Sequence, residues 1–299
     1  MIETGFYYGR LWHRRVAPSH DFERGILLAL ADVDARPGSK KPDPILVMDN
    51  ISRSFGGLLA VSVDHLEIQR GTITALIGPN GAGKTTLFNL VSAFDEPTSG
   101  MWQLNGKELR GMQPYQIARE GMVRTFQLTK SLAKMTCLEN MMLAAPDQAG
   151  ESFLNSLVPA RWRAQEREIQ EKAEELLTRF NLIHMRDEYA ATLSGGQRKL
   201  LEMARSLMTN PEIILLDEPM AGVNPALVQS LLGHIEALRD EGMTVIFIEH
   251  DMDVIMGISD WIAVLAEGQV IAEGTPAQVG QNPAVIDAYL GTDFSEEDA

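Results

Sequence analysis

The spacing of hydrophobic and polar positions changes several times along the chain. Between residues 45 and 77, β-forming residues alternate or cluster between turn residues, which predicts short strands. Two later apolar runs, in "PEIILLDEP" and "MTVIFIEHD", also read as strands, and helical patterns follow each of them. Strands that alternate with helices predict an α/β fold with a mainly parallel sheet. Antiparallel strands near its start and end, including the pair in "WIAVLAEGQVIAEG", are expected as additions to that sheet.

The pattern between about residues 114 and 206 is mostly helical. Just before it, "GMWQLNGKEL" predicts a short hairpin. One helix, at about residues 164–180, places its apolar residues on one face and charges elsewhere, as a helix with one solvated side does. Its apolar face consists of Ile169, Ala173, Leu176, Leu177 and Phe180.

Residues 1–44 differ from the rest and are interpreted as an N-terminal extension. They end in the irregular stretch "RPGSKKPDP", which breaks any regular element and serves as a linker. The extension is a short docking helix followed by that linker, or else a poorly ordered terminus or the product of an upstream start codon. The apolar face of such a helix would consist of Phe22, Ile26, Ala29, Leu30 and Val33.

Composition excludes several classes of protein. With 26 Lys and Arg against 41 Asp and Glu, the net charge is -15, which argues against a nucleic-acid partner. The longest apolar runs fall far short of the roughly 20 residues that span a bilayer, and a signal-peptide layout is missing. A cytoplasmic location is expected, with any membrane association made through a partner. Cys137 is the single cysteine, which excludes internal disulfides and favours a small buried hydrophobe.

The segment "GPNGAGKT" fits the phosphate-loop pattern G-x-x-x-x-G-K-[ST] at every fixed position. It follows the apolar strand "ITALI" and opens a helix, which is the context that a phosphate loop requires. Backbone N–H groups can surround a β-phosphate, Lys84 can reach the β- and γ-phosphates, and Thr85 can ligate Mg²⁺. The alternative is a glycine-rich turn with an incidental lysine. The predicted nucleotide-binding residues are Gly78, Pro79, Asn80, Gly81, Ala82, Gly83, Lys84, Thr85 and Thr86.

An acidic pair follows the apolar strand in "IILLDEP". Asp217 and Glu218 emerge at the carboxyl end of that strand, where open parallel sheets bind ligands. Asp217 can hold Mg²⁺, usually through water, and Glu218 can polarise an attacking water. The alternative is that the pair caps the next helix.

Two further polar residues are candidates for the same site. His250 follows the apolar strand in "TVIFIEH" and is placed to hydrogen-bond a γ-phosphate at the same sheet edge; an isolated histidine is otherwise structural. Gln127, in "RTFQLTK", lies between the sheet and the helical section, where its amide can sense Mg²⁺ or water, or can be an ordinary loop residue.

A second glycine loop, "LSGGQ", precedes an amphipathic helix. Ser194 and Gln197 fit a capping box, which leaves Gly195 and Gly196 unexplained, because each glycine can cost up to about 1 kcal/mol of helix stability relative to alanine. Two glycines give clearance for a flat group at a helix N-terminus that suits anions. The loop is therefore interpreted as a second phosphate site. Spacing does not decide whether it serves a separate ligand or a nucleotide held by another molecule.

The order of these motifs resembles that of the ATP-binding cassette (ABC) ATPases, whose signature is L-S-G-G-Q. The likeness covers about residues 45–291 and leaves residues 292–299 as an acidic C-terminal tail. It implies a P-loop NTPase (RecA-like) core with a mainly parallel sheet, an antiparallel β subdomain and an α-helical subdomain inserted at about 127–192. It also implies ATP and Mg²⁺ as ligands.

In this family two cassettes pack head to tail, and each signature loop completes the ATP site of the other. The resemblance implies that residues 194–197 contact the γ-phosphate held by a second ATPase subunit. It makes Glu218 the catalytic carboxylate, Gln127 the Q-loop residue and His250 the switch histidine. Phe55, in "SFGGLLAV", would stack on adenine; the alternative is an ordinary strand aromatic.

A narrower likeness follows from "FGGLLAV", "RTFQ", "ENMMLA", "AGVNP", "EHDM" and the closing "GTPAQV" and "NPAVIDAYLG". These segments look like the larger ATPase subunit of branched-chain amino acid importers, a group that includes urea and amide importers. The likeness implies permease transmembrane subunits as partners, a solute-binding protein as an indirect partner, and a location on the cytoplasmic face of the plasma membrane. Asn224 departs from the aspartate that cassettes generally carry in the D-loop. The alternatives are an ATPase of a lipid or polysaccharide exporter, or a non-transport cassette protein.

Overall fold

The computed structural model describes residue 30 and residues 32–125, 132–151 and 162–293, and these ranges form two β-sheets with helices around them. The six-stranded sheet has the order β10-β9-β3-β8-β7-β6. Its neighbouring strands are parallel except β10, which pairs with β9 in the antiparallel direction. The strands of this central sheet are β3 (Ile73–Ile77), β6 (Met122–Arg124), β7 (Ile213–Asp217), β8 (Thr244–Ile248), β9 (Trp261–Ala266) and β10 (Gln269–Gly274).

The second sheet is antiparallel, has the order β2-β1-β4-β5 and shares a buried hydrophobic cluster with the central sheet. It contains the predicted hairpin, which turns at residues 105–106. Its strands are β1 (Pro44–Phe55), β2 (Leu58–Gln69), β4 (Ser99–Leu104) and β5 (Lys107–Glu108).

Helices follow or separate the strands of the central sheet. Those that carry site residues are α1, directly after β3, and α5, which begins at the second glycine loop. Apart from short 3-10 helices, the helices bounded within the described ranges are α1 (Lys84–Val91), α2 (Pro114–Arg119), α3 (Cys137–Leu143), α4 (Arg163–Arg179), α5 (Gly195–Ser206), α6 (Pro225–Asp240), α7 (Met252–Ile258), α8 (Pro276–Val279) and α9 (Pro283–Asp293).

The core lies on both faces of the central sheet, because its middle strands are apolar at almost every position. All five residues of β3, β7 and β8 are buried. Alternate side chains point to opposite faces of a strand. Thus Ile213 and Leu215 pack with α1 and the antiparallel sheet, whereas Ile214 and Leu216 pack with helices α3 to α7. This double burial fixes the strands and therefore the position of the polar residues at their ends.

Part of the predicted N-terminal extension packs against the two sheets. The Lys41 ammonium donates to Glu273 at 2.9 Å, and both side chains have 0% exposure. Glu273 also accepts from the Gly38 amide at 2.8 Å and from the Trp261 indole at 3.1 Å, while the Lys41 amide donates to Glu67 at 2.6 Å. Residues 38–41 thereby join β2 to β10. The docking helix predicted for the extension lies mostly outside the described residues.

Most of the predicted elements are confirmed, and one strand was missed. The mainly parallel sheet, the hairpin and the helix expected at about residues 164–180 are present. Strand β6 lies within the segment expected to be mostly helical, where it pairs with β7 over only three residues. Cys137 is buried as expected. In the described ranges, no helix is both long and apolar enough to cross a membrane.

Candidate nucleotide site

The carboxyl ends of β3, β7 and β8 bring the sequence-predicted residues to one edge of the central sheet. Register places Leu76 and Asp217 on either side of Ile248, so the three strand ends lie next to each other. The phosphate loop follows β3, the acidic pair ends β7, and His250 follows β8. The expectation that Lys84, Asp217, Glu218 and His250 share one edge is therefore confirmed as a matter of position.

The phosphate loop is shaped by glycines that no other residue could replace without strain. Gly78 and Gly83 have φ values of 150° and 97°, which L-residues rarely adopt. A Cβ on Gly78 would lie 2.0 Å from the Leu265 carbonyl oxygen, and one on Gly83 would lie 2.6 Å from that of Ala60. The loop is thus held tightly between the start of α1 and the neighbouring strands. Such a turn at a helix N-terminus suits a phosphate group.

Lys84 lies within this loop at the start of α1. Its ammonium donates to the carbonyl oxygens of Gly78 at 2.7 Å and Pro79 at 2.9 Å. Burial lowers the pKa of Lys84, and the nearby carboxylates of Glu218 and Asp217 oppose that effect. A phosphate oxygen would be a stronger, charge-assisted acceptor for this ammonium than either carbonyl.

The residues predicted to hold Mg²⁺ provide the donor atoms that this ion prefers. Asp217 is buried at the end of β7, and Thr85 is exposed on α1. Carboxylate and hydroxyl oxygens suit a hard cation. Arg124 of β6 donates to Asp217 at 2.7 Å and to Asn89 at 2.6 Å. Sequence reasoning missed this arginine, although it precedes the "TFQ" segment and is the charged end of the undetected strand.

Glu218 has an unusual backbone and a direct histidine partner. Its φ is 47°, a left-handed value that is uncommon for a residue other than glycine. His250 Nε2 lies 2.7 Å from Glu218 Oε1. The Glu218 amide donates to the Ile248 carbonyl at 3.0 Å, and its carbonyl accepts from the Lys199 ammonium at 2.8 Å. The carboxylate is therefore held at the sheet edge by both its backbone and its side chain.

The roles predicted for Phe55 and Gln127 are not tested by the structure. Phe55 ends β1 with 48% exposure, and the Arg53 guanidinium lies 4.6 Å from its ring centroid. The hairpin that carries it runs beside the phosphate loop, because Ala60 of β2 lies against Gly83. A stacking role for Phe55 stays a prediction. Gln127 lies outside the described residues, and its predicted roles likewise stay predictions.

The second glycine loop is capped internally. Ser194 accepts from the Gln197 amide at 3.3 Å, and Gln197 Oε1 accepts from the Ser194 amide at 2.9 Å. A Cβ on Gly196 would lie 1.9 Å from Leu227 Cδ2, whereas one on Gly195 would meet nothing nearer than 4.0 Å. The two glycines therefore have different neighbours: Gly196 makes room for a leucine of the same chain, and only Gly195 leaves an open face.

The C-terminal helix also reaches the phosphate loop. Burial raises the pKa of the Tyr289 hydroxyl on α9, and a hydrogen bond with the Gly78 backbone opposes that effect. Val285, one turn earlier on the same helix, is buried in the core. Sequence reasoning did not place α9 near the nucleotide site, because more than two hundred residues separate Tyr289 from Gly78.

Comparisons with known proteins agree with this geometry. Residues 61–221 match the family model for ABC transporters, and residues 269–295 match the model for branched-chain amino acid ATP-binding cassette transporters. One relative is the high-affinity branched-chain amino acid transport ATP-binding protein BraF of Pseudomonas aeruginosa. It is 45% identical over 251 residues, which cover 83% of this chain and 98% of the relative.

An archaeal relative and two solved structures extend the comparison. The probable branched-chain amino acid transport ATP-binding protein LivG of Archaeoglobus fulgidus is 43% identical over 84% of this chain and 97% of its own length. A nucleotide-free ATP-binding cassette from an ABC transporter has a TM-score of 0.72 and 38% identity, over 82% of this chain and 98% of its own. The ADP conformation of such a cassette has a TM-score of 0.71, 38% identity, and coverages of 83% and 99%. The chain therefore belongs to the ABC transporter family, as one of its ATP-binding ATPase proteins.

Proposed function

We propose that the chain is the ATP-hydrolysing subunit of an importer for branched-chain amino acids or a related small polar solute. ATP hydrolysis is supported chiefly by the position of the Glu218 carboxylate. It lies 2.7 Å from His250 and close enough to Lys84 to influence the pKa of that lysine. The proposed cargo class is supported by the match of residues 269–295 and by the relatives that carry this transport name. In this proposal, permease transmembrane subunits hold the chain at the cytoplasmic face of the plasma membrane, and a solute-binding protein delivers the cargo.

Each residue of the candidate nucleotide site has its own role in ATP hydrolysis in this proposal. Lys84 and the backbone amides of the phosphate loop bind the β- and γ-phosphates, and Phe55 stacks on the adenine. Glu218 polarises the attacking water, and His250 hydrogen-bonds the γ-phosphate while it holds the Glu218 carboxylate. Thr85 and Asp217, with Gln127, would hold Mg²⁺, which neutralises phosphate charge when bound.

The open face of Gly195 supports a role for the second glycine loop in a dimer. Ser194 and Gln197 bond to each other, and Gly196 faces Leu227, so the loop needs no nucleotide to complete its own structure. In the proposed head-to-tail dimer, residues 194–197 contact the γ-phosphate bound by the second ATPase subunit.

The charge of Glu218 can be tested by its amide variant. Glu218→Gln keeps the shape of the side chain and removes the negative charge beside the water, so we expect an ATP-bound dimer that does not turn over. Size-exclusion chromatography with ATP and a phosphate-release assay measure the two effects. Lys84→Ala, which should abolish ATP binding in calorimetry, is the control for a dimer that depends on nucleotide. Hydrolysis by Glu218→Gln at the wild-type rate would contradict the assignment.

The partner's loop can be tested by mixing two inactive variants. Lys84→Ala lacks a phosphate-binding lysine, and Ser194→Arg blocks the open face of the second loop. A mixed dimer keeps one intact composite site, so recovery of ATP hydrolysis on mixing is the expected result. Wild-type hydrolysis by Ser194→Arg alone would show that this loop does not contact a nucleotide.

The cargo can be identified only with the assembled transporter, since no residue of this chain contacts the cargo in the proposal. We expect permease subunits to co-purify from detergent-solubilised membranes, and their solute-binding protein to bind branched-chain amino acids in calorimetry. A permease of a lipid or polysaccharide exporter in the same preparation would contradict the importer assignment.

A further inference from the structure

Two charged residues outside the predicted site hold the backbone that carries Glu218. That backbone is left-handed at Glu218, with a φ of 47°, and such a conformation persists only where the surrounding structure determines it. The next residues turn away from β7 at once, since the Ala221 amide donates to the Glu218 carbonyl at 3.2 Å. What fixes this turn also fixes the direction of the Glu218 carboxylate.

Lys199 contacts this turn from the helix that follows the second glycine loop. Its ammonium donates to the Glu218 carbonyl at 2.8 Å, although the two residues are 19 positions apart in sequence. The side chain is half-buried. Burial lowers its pKa, and nearby carboxylates, that of Glu249 foremost, oppose the effect. The contact therefore joins α5 to the backbone of the proposed catalytic carboxylate.

Glu249, directly after β8, contacts the same turn. Its carboxylate accepts from the Met220 amide at 2.8 Å and from the His250 amide at 3.3 Å, and the residue has 6% exposure. Burial raises the pKa of Glu249, whereas the two amide hydrogen bonds oppose that effect. It lies directly before the proposed switch histidine, so one buried side chain connects the turn after β7 to the residue that hydrogen-bonds Glu218.

We propose that Lys199 is a positioning residue for ATP hydrolysis, which acts by fixing the backbone of Glu218. Glu249 holds the same turn at the Met220 amide. The proposal rests on the proposed role of Glu218 as the catalytic carboxylate. Lys199 touches neither nucleotide nor water in this role. Its loss lets the turn relax and misdirects the Glu218 carboxylate, while the phosphate loop, on the other side of β8, keeps its shape.

The chain contains a matched control for this contact. Lys172 of α4 is also half-buried, and its ammonium donates to the Met208 carbonyl at 2.8 Å and to Asn210 at 2.6 Å. Burial lowers its pKa to about 8. Lys172→Met therefore removes the same kind of bond, from a lysine ammonium to a backbone carbonyl, at a place that does not carry Glu218.

The test compares Lys199→Met, Lys199→Arg and Lys172→Met in the full chain, with its transporter partners where hydrolysis needs them. For Lys199→Met we expect kcat at saturating ATP to fall about tenfold to a hundredfold, because small misplacements of a reacting group cost that much. The Kd for ATP, from calorimetry on the isolated chain, should change by less than about twofold, since phosphate binding is left intact. Lys199→Arg restores a donor and should recover most of kcat.

A second measurement does not depend on hydrolysis. Hydrogen exchange, followed by mass spectrometry on a peptide that covers residues 217–223, should be faster in Lys199→Met than in wild type. Lys172→Met should leave both kcat and this exchange unchanged, even if it lowers the thermal midpoint of the protein as much as Lys199→Met does. This separates a loss of positioning from a general loss of stability.

Two results would overturn the proposal. One is a wild-type kcat for Lys199→Met when Glu218→Gln is inactive, which would leave the role of Glu218 intact and remove that of Lys199. The other is an equal fall of kcat in Lys199→Met and Lys172→Met, which would assign both effects to stability. Full hydrolysis by Glu218→Gln would instead refute the proposed catalytic role of Glu218, on which this inference rests.

Discussion

The two glycine loops differ in what their glycines do, although both open a helix. In the phosphate loop, Gly78 and Gly83 have positive φ values, and backbone carbonyls lie so close to both that not even a methyl side chain would fit. In the second loop, Gly195 and Gly196 are not among the residues with positive φ, and α5 begins at the first of them. The first loop needs glycine for its conformation, whereas the second needs it only for the space beside it.

Similar sequence signals can therefore have different physical causes. Within the second loop the causes differ again, because Gly196 faces Leu227 of its own chain and Gly195 faces open space. Of the two glycines, only Gly195 then has a face that a ligand or a second subunit can contact. Substitutions to alanine can separate these three situations.

The largest effect is expected for Gly78→Ala. Its Cβ would lie 2.0 Å from the Leu265 carbonyl oxygen, so the strand or the loop must move, at a cost of about 3 kcal/mol or more. Chemical denaturation should show that loss, and calorimetry should show no ATP binding. Gly81→Ala is the control: its φ is 78° but no atom lies within 4 Å, so only backbone strain of about 1–2 kcal/mol is expected. Equal stability of Gly78→Ala and wild type would refute this account of the loop.

A smaller loss is expected for Gly196→Ala. The atom in the way is the end of the Leu227 side chain, which can move to another rotamer at a cost of about 1 kcal/mol. The better helix propensity of alanine offsets part of that cost. The double variant Gly196→Ala with Leu227→Ala removes the clash, so a double-mutant cycle should show coupling between the two sites. Additive effects would mean that the space beside Gly196 serves something other than Leu227.

A moderate effect on binding alone is expected for Tyr289→Phe. The substitution removes the hydroxyl that the Gly78 backbone bonds to and keeps the packing of the ring. The loss of one hydrogen bond, about 1 kcal/mol, should raise the Kd for ATP about fivefold in calorimetry. Tyr115, which is exposed on α2, provides the control variant Tyr115→Phe. An unchanged Kd for Tyr289→Phe would show that α9 does not support the phosphate loop.

The smallest effect on stability is expected for Gly195→Ala. The nearest atom to the added methyl group is the Gly222 carbonyl oxygen at 4.0 Å, an ordinary contact, and alanine favours the helix, so the thermal midpoint should stay the same or rise. ATP hydrolysis should nevertheless fall if this face meets the nucleotide of a second subunit. Unchanged stability together with unchanged hydrolysis would remove Gly195 from the proposed composite site.

Local sequence patterns predicted much of the fold and part of the candidate site. The apolar runs of β7 and β8 predicted their burial, and their polar ends predicted the shared edge, because parallel strands direct their carboxyl ends the same way. Strand β6 was missed because three residues give no period to detect. The structure of Gln127 is not described, so its predicted role stays untested.

The contacts that sequence reasoning missed join distant parts of the chain. Arg124 pairs with Asp217, Lys199 with the Glu218 carbonyl, and Gly196 with Leu227. Each depends on how separate elements pack, and no local spacing encodes that. The two glycines of the second loop therefore do not both clear space for a flat ligand, because a leucine 31 residues later occupies one of the two spaces.

The buried ion pair between Lys41 and Glu273 has a consequence for how this sequence can change over time. Loss of either residue alone would leave an uncompensated buried charge, which typically costs about 3–5 kcal/mol, whereas replacement of both by apolar residues is often neutral. Single replacements should therefore be rare among descendants that keep this segment, and the two positions should change together. A lineage that shed the segment before β1 would be expected to lose the acidic residue at the position of Glu273 as well.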